Sequence, residues 1–460
     1  MDAKTNRYFA AQAWVQGNWA SNVLLEVDSS GHWSRITSDV TADMARNAQV
    51  LAGPVLPGVV NAHSHAFQRA IAGLTEHGAA GNADNFWSWR ERMYAVAQRI
   101  TPEQLEDIAT LLYTELLAGG YTQVCEFHYL HNPSAHAPKA SALDMSMALV
   151  RAAQRSGIGL TLLPTLYMRS GFRADGLRAD QQRFASTPDS IAHLVQDLQV
   201  ATRGLPHVNL GVALHSLRAV TPQALTALVG FADAQGLPIH IHIAEQPQEV
   251  QDSLAHTGQS PIDWLLTHAN VHGRWNLVHA THATQAELDG VRASGASIVI
   301  CPTTEANLGD GVFDYPGFCA RGGSWSIGSD SHVSRLWSEE LRLLEYSQRL
   351  TRGQRNVAAH GGASSSSAAN MLQAVLSAGQ AATAQPLAGL QVGQRADCVV
   401  LDGESTALCC VPSAHVLDAL VFSSPGSAPL AICVGGQWRH PAADGALMRA
   451  LARTLVQLHT

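Results

Sequence analysis

The stretch PGVVNAHSHAFQRA, Pro57 to Ala70, sets His63 and His65 one residue apart directly behind an apolar, β-branched run. Side chains alternate along an extended segment, so both imidazoles point the same way and could bind one metal ion. Alone, such a pair in a chain with 22 histidines reads equally well as two solvated loop residues. Three other segments shift that balance. In LPIHIHIAEQ, His240 and His242 again share a face, and Glu245 follows three residues after the second. His242 lies nearer the end of the run and is the better ligand, while His240 sits deeper and reads as a hydrogen-bonded core histidine. WNLVHATH ends on His279, with His282 further out, and SWSIGSDSH carries Asp330. Imidazole nitrogens and carboxylate oxygens are the donors that zinc and similar divalent ions accept.

These groups must be brought together from distant parts of the chain. The apolar runs expected as strands are Val55–Asn61, Thr122–His128, Gly159–Leu166, Asn209–His215, Pro238–Ile243, Asn276–His279, Ser297–Cys301 and Ser324–Gly328, each followed by room for a loop and helix. Eight strands alternating with helical stretches fit an α/β fold of the (β/α)8 TIM barrel type, and no GxGxxG follows the first strand as an open dinucleotide-binding sheet would often show. In such a barrel the chemistry sits at the C-terminal strand ends, which is where strands one, five, six and eight carry His63 and His65, His242, His279 and Asp330. The terminal regions differ in style. Arg7 to Ile36, Gly389 to Gly403 and Leu430 to His440 alternate polar and apolar residues around turn signals, which predicts a small β-sandwich domain formed by residues 1–56 and 386–460 around a barrel of residues 57–385. The serine-rich run His360–Asn370 reads as a mobile loop joining helices.

Composition narrows the function classes. A 460-residue chain that is 46% hydrophobic can bury a large core, and nowhere do eighteen apolar residues run together, so no membrane insertion is expected. A formal net charge of −8 argues against nonspecific nucleic-acid binding. Seven scattered cysteines without a CxxC pair fit reduced thiols, and the opening residues show no secretory pattern, so a cytoplasmic protein is expected.

The order HxH, His, His and Asp over strands one, five, six and eight resembles the amidohydrolase superfamily, and the resemblance runs from end to end, terminal β segments included. Within it, PGVVNAHSHAFQRAIAGLTE, HSLRAV, HIHIAEQ and IGSDSH resemble the formimidoylglutamate deiminase family. That resemblance implies one divalent metal ion per subunit, Zn2+, held by His63, His65, His242 and Asp330, with Glu245, His279 and Asp330 as catalytic, proton-handling groups. It implies a small anionic substrate, N-formimino-L-glutamate, hydrolysed to N-formyl-L-glutamate and ammonia in histidine degradation by a homodimer. Two-metal members of the superfamily bridge their ions with a carboxylated lysine on strand four. The corresponding HVNLGVALHS has none, and Lys4 and Lys139 are the only lysines in the chain, so a mononuclear site follows.

A substrate with two carboxylates needs directed donors such as the arginine fork. Arg218 in HSLRAV and Arg90 in FWSWRERMY are the candidates, with Arg92 the alternative to Arg90. By similarity to the family, Gln68, Tyr129 and His215 complete the substrate-binding set. Trp87 and Trp89 read as packing residues, Glu126 as a buried polar partner, and Cys301 as a buried small residue instead of a nucleophile. Two other readings stay open. A deaminase of guanine or cytosine would share the metal set but favour stacking residues over paired arginines. A non-catalytic metal-binding barrel would have no need of Glu245 and His279 as spare acid-base groups.

Overall fold

The computed structural model describes residues 6–77, 85–360, 362–423, 428–440 and 445–459. Eight parallel strands form the barrel wall: Val59–Ser64, Tyr121–His128, Gly159–Leu166, Val212–Leu214, Ile239–Ile243, Trp275–His279, Ser297–Ile300 and Ser324–Ile327, each hydrogen-bonded to the next. They are buried almost throughout because helices cover the outer face, which is why their sequences read as continuous apolar runs. Several of those helices start on a cap followed by proline: Thr101 before Pro102–Ala118, Thr187 before Pro188–Ala201, Thr221 before Pro222–Gln235. The threonine hydroxyl accepts a backbone N–H of the first turn, and the proline gives up a donor that has no partner there.

The last strand returns to the first at the level of the predicted ligands. The Asp330 amide donates to the His63 carbonyl at 3.0 Å, and the His65 amide donates to the Asp330 carbonyl at 3.2 Å. Asn61 and Ser329 clasp the same seam, the Asn61 amide nitrogen donating to Ser329 Oγ at 2.7 Å and the Ser329 amide donating to Asn61 Oδ1 at 2.9 Å. Gly328 is required by this closure, since a Cβ there would lie 2.6 Å from the Cβ of His63.

Two predicted strands are each divided by a glycine. The run expected as Val55–Asn61 is two strands: Val55–Pro57 pairs antiparallel with Cys398–Val400, and only Val59–Ser64 enters the barrel. Gly58 is the pivot, packed so closely that a Cβ would meet Thr122 Oγ1 at 2.3 Å. The run expected as Asn209–His215 breaks at Gly211 into Val208–Leu210 and Val212–Leu214, both on strand Gly159–Leu166. The serine-rich segment is also more structured than a loop: Ser366 caps helix Ser367–Thr383, its hydroxyl accepting from the Ala369 amide at 3.0 Å.

The chain termini build a separate eight-stranded sheet in the order Gln437–Arg439, Ala431–Val434, Cys398–Val400, Val55–Pro57, Asn6–Val15, Asn18–Val27, Trp33–Thr37, with Gln49–Leu51 beside Asn6–Val15. Tyr8, Leu25, Trp33, Val55 and Val400 belong to a hydrophobic cluster distinct from the barrel core. The helix Gly445–His459 leaves this sheet and lies against the barrel, where Arg99 donates to the Leu458 carbonyl at 2.8 Å. Among the described residues no helix is long and apolar enough to cross a membrane.

Candidate active site

His63, His65 and His242 meet at the C-terminal mouth of the barrel. Their Nε2 atoms lie 3.1 Å apart for His63 and His65, 3.3 Å for His65 and His242, and 3.0 Å for His242 and His63. Backbone carbonyls set two of the tautomers: the Phe127 carbonyl lies 3.0 Å from His65 Nδ1 and the His215 carbonyl 2.9 Å from His242 Nδ1. A carbonyl can only accept, so each Nδ1 carries the proton and each Nε2 presents a lone pair. Burial, reinforced by the crowding of imidazoles, pushes the basicity of His63 and His242 well down and holds all three rings neutral. Lone pairs facing one another at this distance repel unless a cation lies between them. Two ligands ~2.1 Å from a tetrahedral ion stand about 3.4 Å apart, close to the spacing seen. Asp330 Oδ1 completes the set at 3.5 Å from His63 Nε2 and 3.4 Å from His65 Nε2. The donors therefore fit one divalent ion.

The segment that carries HxH is braced from the second strand. Glu126 accepts from Ser64 Oγ at 2.7 Å, from the Ala66 amide at 2.6 Å and from Tyr113 Oη at 3.2 Å. Burial nevertheless raises its carboxyl to about 7, the three donors opposing the shift. Of the two lysines, Lys139 is exposed beyond the second strand and Lys4 lies outside the described residues.

On the other side of the histidines, His279 Nε2 lies 3.7 Å from both Glu245 Oε1 and Asp330 Oδ2. Burial opposes charge on His279, but the carboxylates of Glu245, Glu305 and Asp330 outweigh it and raise the imidazole to about 10. Glu245 is pushed up to about 7 by burial, with His279 and Arg218 pulling the other way. Both His279 and Asp330 adopt left-handed backbone, φ 72° and 45°, a strained arrangement for non-glycine residues that aims their side chains across the mouth.

A cavity of about 430 Å³ lies above these groups, lined by Gln68, Arg90, Tyr129, His215 and Arg218 as well as His65, His242, Glu245, His279 and Asp330. Helix Phe86–Ala97 forms part of its roof through Phe86, Trp89, Arg90, Met93 and Tyr94. Arg90 is the arginine that turns inward; Arg92 turns away and donates to the Thr75 and His77 carbonyls at 2.8 and 3.0 Å. The guanidiniums of Arg90 and Arg218 lie over Trp87 at 4.4 and 6.0 Å from its ring centre. Arg90 Nε and Arg218 Nη1 are buried without a hydrogen-bond partner among the described residues. Gln68 Nε2 donates to Tyr129 Oη at 3.3 Å, and its Oε1 is likewise unpartnered among them.

Residues 55–439 match the Amidohydrolase family. The chain belongs to that family. This amidohydrolase is 44% identical over 431 residues, 94% of its own length and 93% of the relative's, to the formimidoylglutamate deiminase of Pseudomonas aeruginosa. The crystal structure of an amidohydrolase from Brucella melitensis superposes with a TM-score of 0.92 at 38% identity, covering 99% of this chain and 100% of that one. An adenosine deaminase from Xanthomonas campestris with bound zinc has the same fold, with a TM-score of 0.80 at 19% identity over 98% of each chain.

Several features of this amidohydrolase's site were not apparent from its sequence. Trp89, expected to pack, lines the cavity, and Phe86, Met93, Tyr94 and Leu308 line it with no motif to mark them. Glu305 lies behind His279, its Oε1 at 3.2 Å from His279 Nδ1. The expected core histidine His240 is one, with Nε2 at 2.8 Å from the Ala382 carbonyl, and His282 turns to the Asp310 carbonyl. Cys301 is buried and burial pushes its thiol far up, unlike a nucleophile.

Proposed function

We propose that this amidohydrolase hydrolyses N-formimino-L-glutamate to N-formyl-L-glutamate and ammonia, with zinc as the resident ion. The observation that carries the reading is the charge layout of one small cavity: two buried guanidiniums, Arg90 and Arg218, share it with a carboxylate pair, Glu245 and Asp330, and Arg90 Nε has no hydrogen-bond partner among the described residues. A linear substrate with carboxylates at one end and a protonated amidine at the other matches that layout, and the 44% identical Pseudomonas deiminase supports the assignment. Charge-assisted hydrogen bonds are the strong ones, so each arginine both orients the substrate and selects for its carboxylates. Gln68 and Tyr129 add neutral hydrogen bonds, with His215 beside them.

A divalent ion would be held by His63, His65, His242 and Asp330 and would supply Lewis acidity that makes water a nucleophile near neutral pH. Asp330 accepts the proton of the attacking water. His279, held as a donor among carboxylates, steadies the charge that develops on oxygen. The water oxygen bonds to the formimino carbon and becomes the formyl oxygen. Glu245 grips the terminal nitrogen and passes to it the second proton of the former water, so that the carbon–nitrogen bond breaks, the oxygen is left as a carbonyl and ammonia departs.

The test is ammonia release from N-formimino-L-glutamate, formiminoaspartate and guanine, before and after chelation. Release from formiminoglutamate that stops with chelator and returns with zinc supports the reading. Ammonia from guanine alone would show that the arginine pair has another purpose.

A further inference from the structure

We infer that Glu305 is a positioning residue that fixes the ring orientation of His279, an inference that rests on the role of His279 given above. Glu305 sits in helix Pro302–Leu308, immediately beyond the seventh strand, and is only 4% exposed. Its Oε1 accepts the Cys301 amide at 2.9 Å and lies 3.2 Å from His279 Nδ1. An oxygen already receiving an N–H is an acceptor, so the second contact is closed by a proton on Nδ1. The other ring nitrogen, Nε2, is thereby the atom turned toward Glu245 and Asp330, 3.7 Å from each. A ring rotated by half a turn would lose the Glu305 bond and turn a carbon, Cε1, to the cavity in place of Nε2. Glu305 itself does not line that cavity, so it acts only through His279.

The backbone gives a reason for such a brace. His279 and Ala280 both have left-handed φ, 72° and 52°, at the end of the sixth strand. A residue in this conformation is held by its surroundings, not by its own preference. Glu305 ties the strained histidine to Cys301, the residue that follows the neighbouring strand, and so couples two strand ends through one oxygen. The ligand atoms of His279, Cys301 and Glu305 fall within 4.8 Å of one another, and these two hydrogen bonds account for that convergence.

The experiment compares Glu305→Gln, Glu305→Ala and His279→Asn in the full-length, zinc-loaded protein. One carboxylate oxygen takes both contacts, so glutamine can place its own oxygen there and keep them, whereas alanine removes both. Glu305→Ala should therefore keep one zinc per chain while kcat for N-formimino-L-glutamate falls about 100-fold or more and KM changes less than about threefold, and Glu305→Gln should restore most of that kcat. Combined with His279→Asn, Glu305→Ala should add no further loss, since the two act as a unit. Ring 15N spectra of histidine-labelled protein, with His279 assigned by its absence in His279→Asn, should show the Nδ1 signal shifted in Glu305→Ala and close to wild type in Glu305→Gln. A Glu305→Ala enzyme within threefold of wild-type kcat beside an inactive His279→Asn overturns the positioning role. So does a loss of kcat matched by loss of melting temperature or zinc in both Glu305 variants. An active His279→Asn would instead remove the role of His279 from which the inference starts.

Discussion

The carboxylate of Asp330 stands 3.5 Å from His63 Nε2 while its own amide donates to the His63 carbonyl at 3.0 Å, so side chain and backbone join the same two residues. The ligand set is therefore a consequence of barrel closure. Gly328→Ala puts a methyl 2.6 Å from the His63 Cβ and must push the eighth strand off the first. Overpacking of this kind costs about 1–3 kcal/mol. Urea unfolding should show that loss, and metal analysis should show a weaker site in the same variant.

Glu126 should matter to the metal without touching it. Its carboxylate takes three donors, two of them from Ser64 and Ala66 on either side of His65. Partners that orient metal ligands are typically worth about 10- to 100-fold in affinity. Glu126→Ala should weaken zinc binding by that order in a competition titration with a chelating dye, whereas unchanged affinity would mean that HxH holds itself.

Removal of one arginine should act on binding more than on turnover. Hydrogen bonds to charged groups contribute about 1.5–3 kcal/mol, or about 10- to 100-fold in KM. Arg90→Met is the cleaner variant, because Arg218 also lies 3.7 Å from buried Glu249 and its loss would strand that carboxylate. Steady-state kinetics on N-formimino-L-glutamate should show a raised KM, and the zinc content should stay at one per chain.

A pH effect on stability arises away from the metal. Glu340 is fully buried against Thr303, and burial raises its carboxyl to about 8 although both Thr303 donors oppose the shift. The folded protein thus holds a proton that the unfolded chain releases above about 4.5, so stability falls as pH rises between the two values, by at most about 1.4 kcal/mol per pH unit. Glutamine mimics the protonated acid: its oxygen accepts the Thr303 amide and its NH2 donates to the hydroxyl. Glu340→Gln should flatten the decline in urea midpoint from pH 5 to 8, and equal slopes in both proteins would refute the linkage.

Much of this arrangement is written in the sequence because a parallel strand end fixes where its side chains point. Alternation within HxH and IHIH is enough to aim His63, His65 and His242 into one mouth, and the missing lysine on the fourth strand speaks to metal count. What could not be read there depends on long-range closeness. Glu305 is an ordinary helix residue until the seventh strand end is laid beside the sixth. The choice of Arg90 over Arg92 depends on how helix Phe86–Ala97 rolls over the mouth, which no periodicity of a helix polar on several sides determines. Gly58 and Gly211 divide strands because of neighbours at Thr122 and Leu163, again contacts between distant segments.

The most direct measurement is an anomalous-scattering map from crystals of the zinc-loaded protein grown with N-formyl-L-glutamate. One peak per chain, bonded to His63, His65, His242 and Asp330, with the ligand's carboxylates on Arg90 and Arg218, is the expected result. Two peaks, a peak elsewhere, or carboxylates turned away from both arginines would contradict a single-ion deiminase built on these residues.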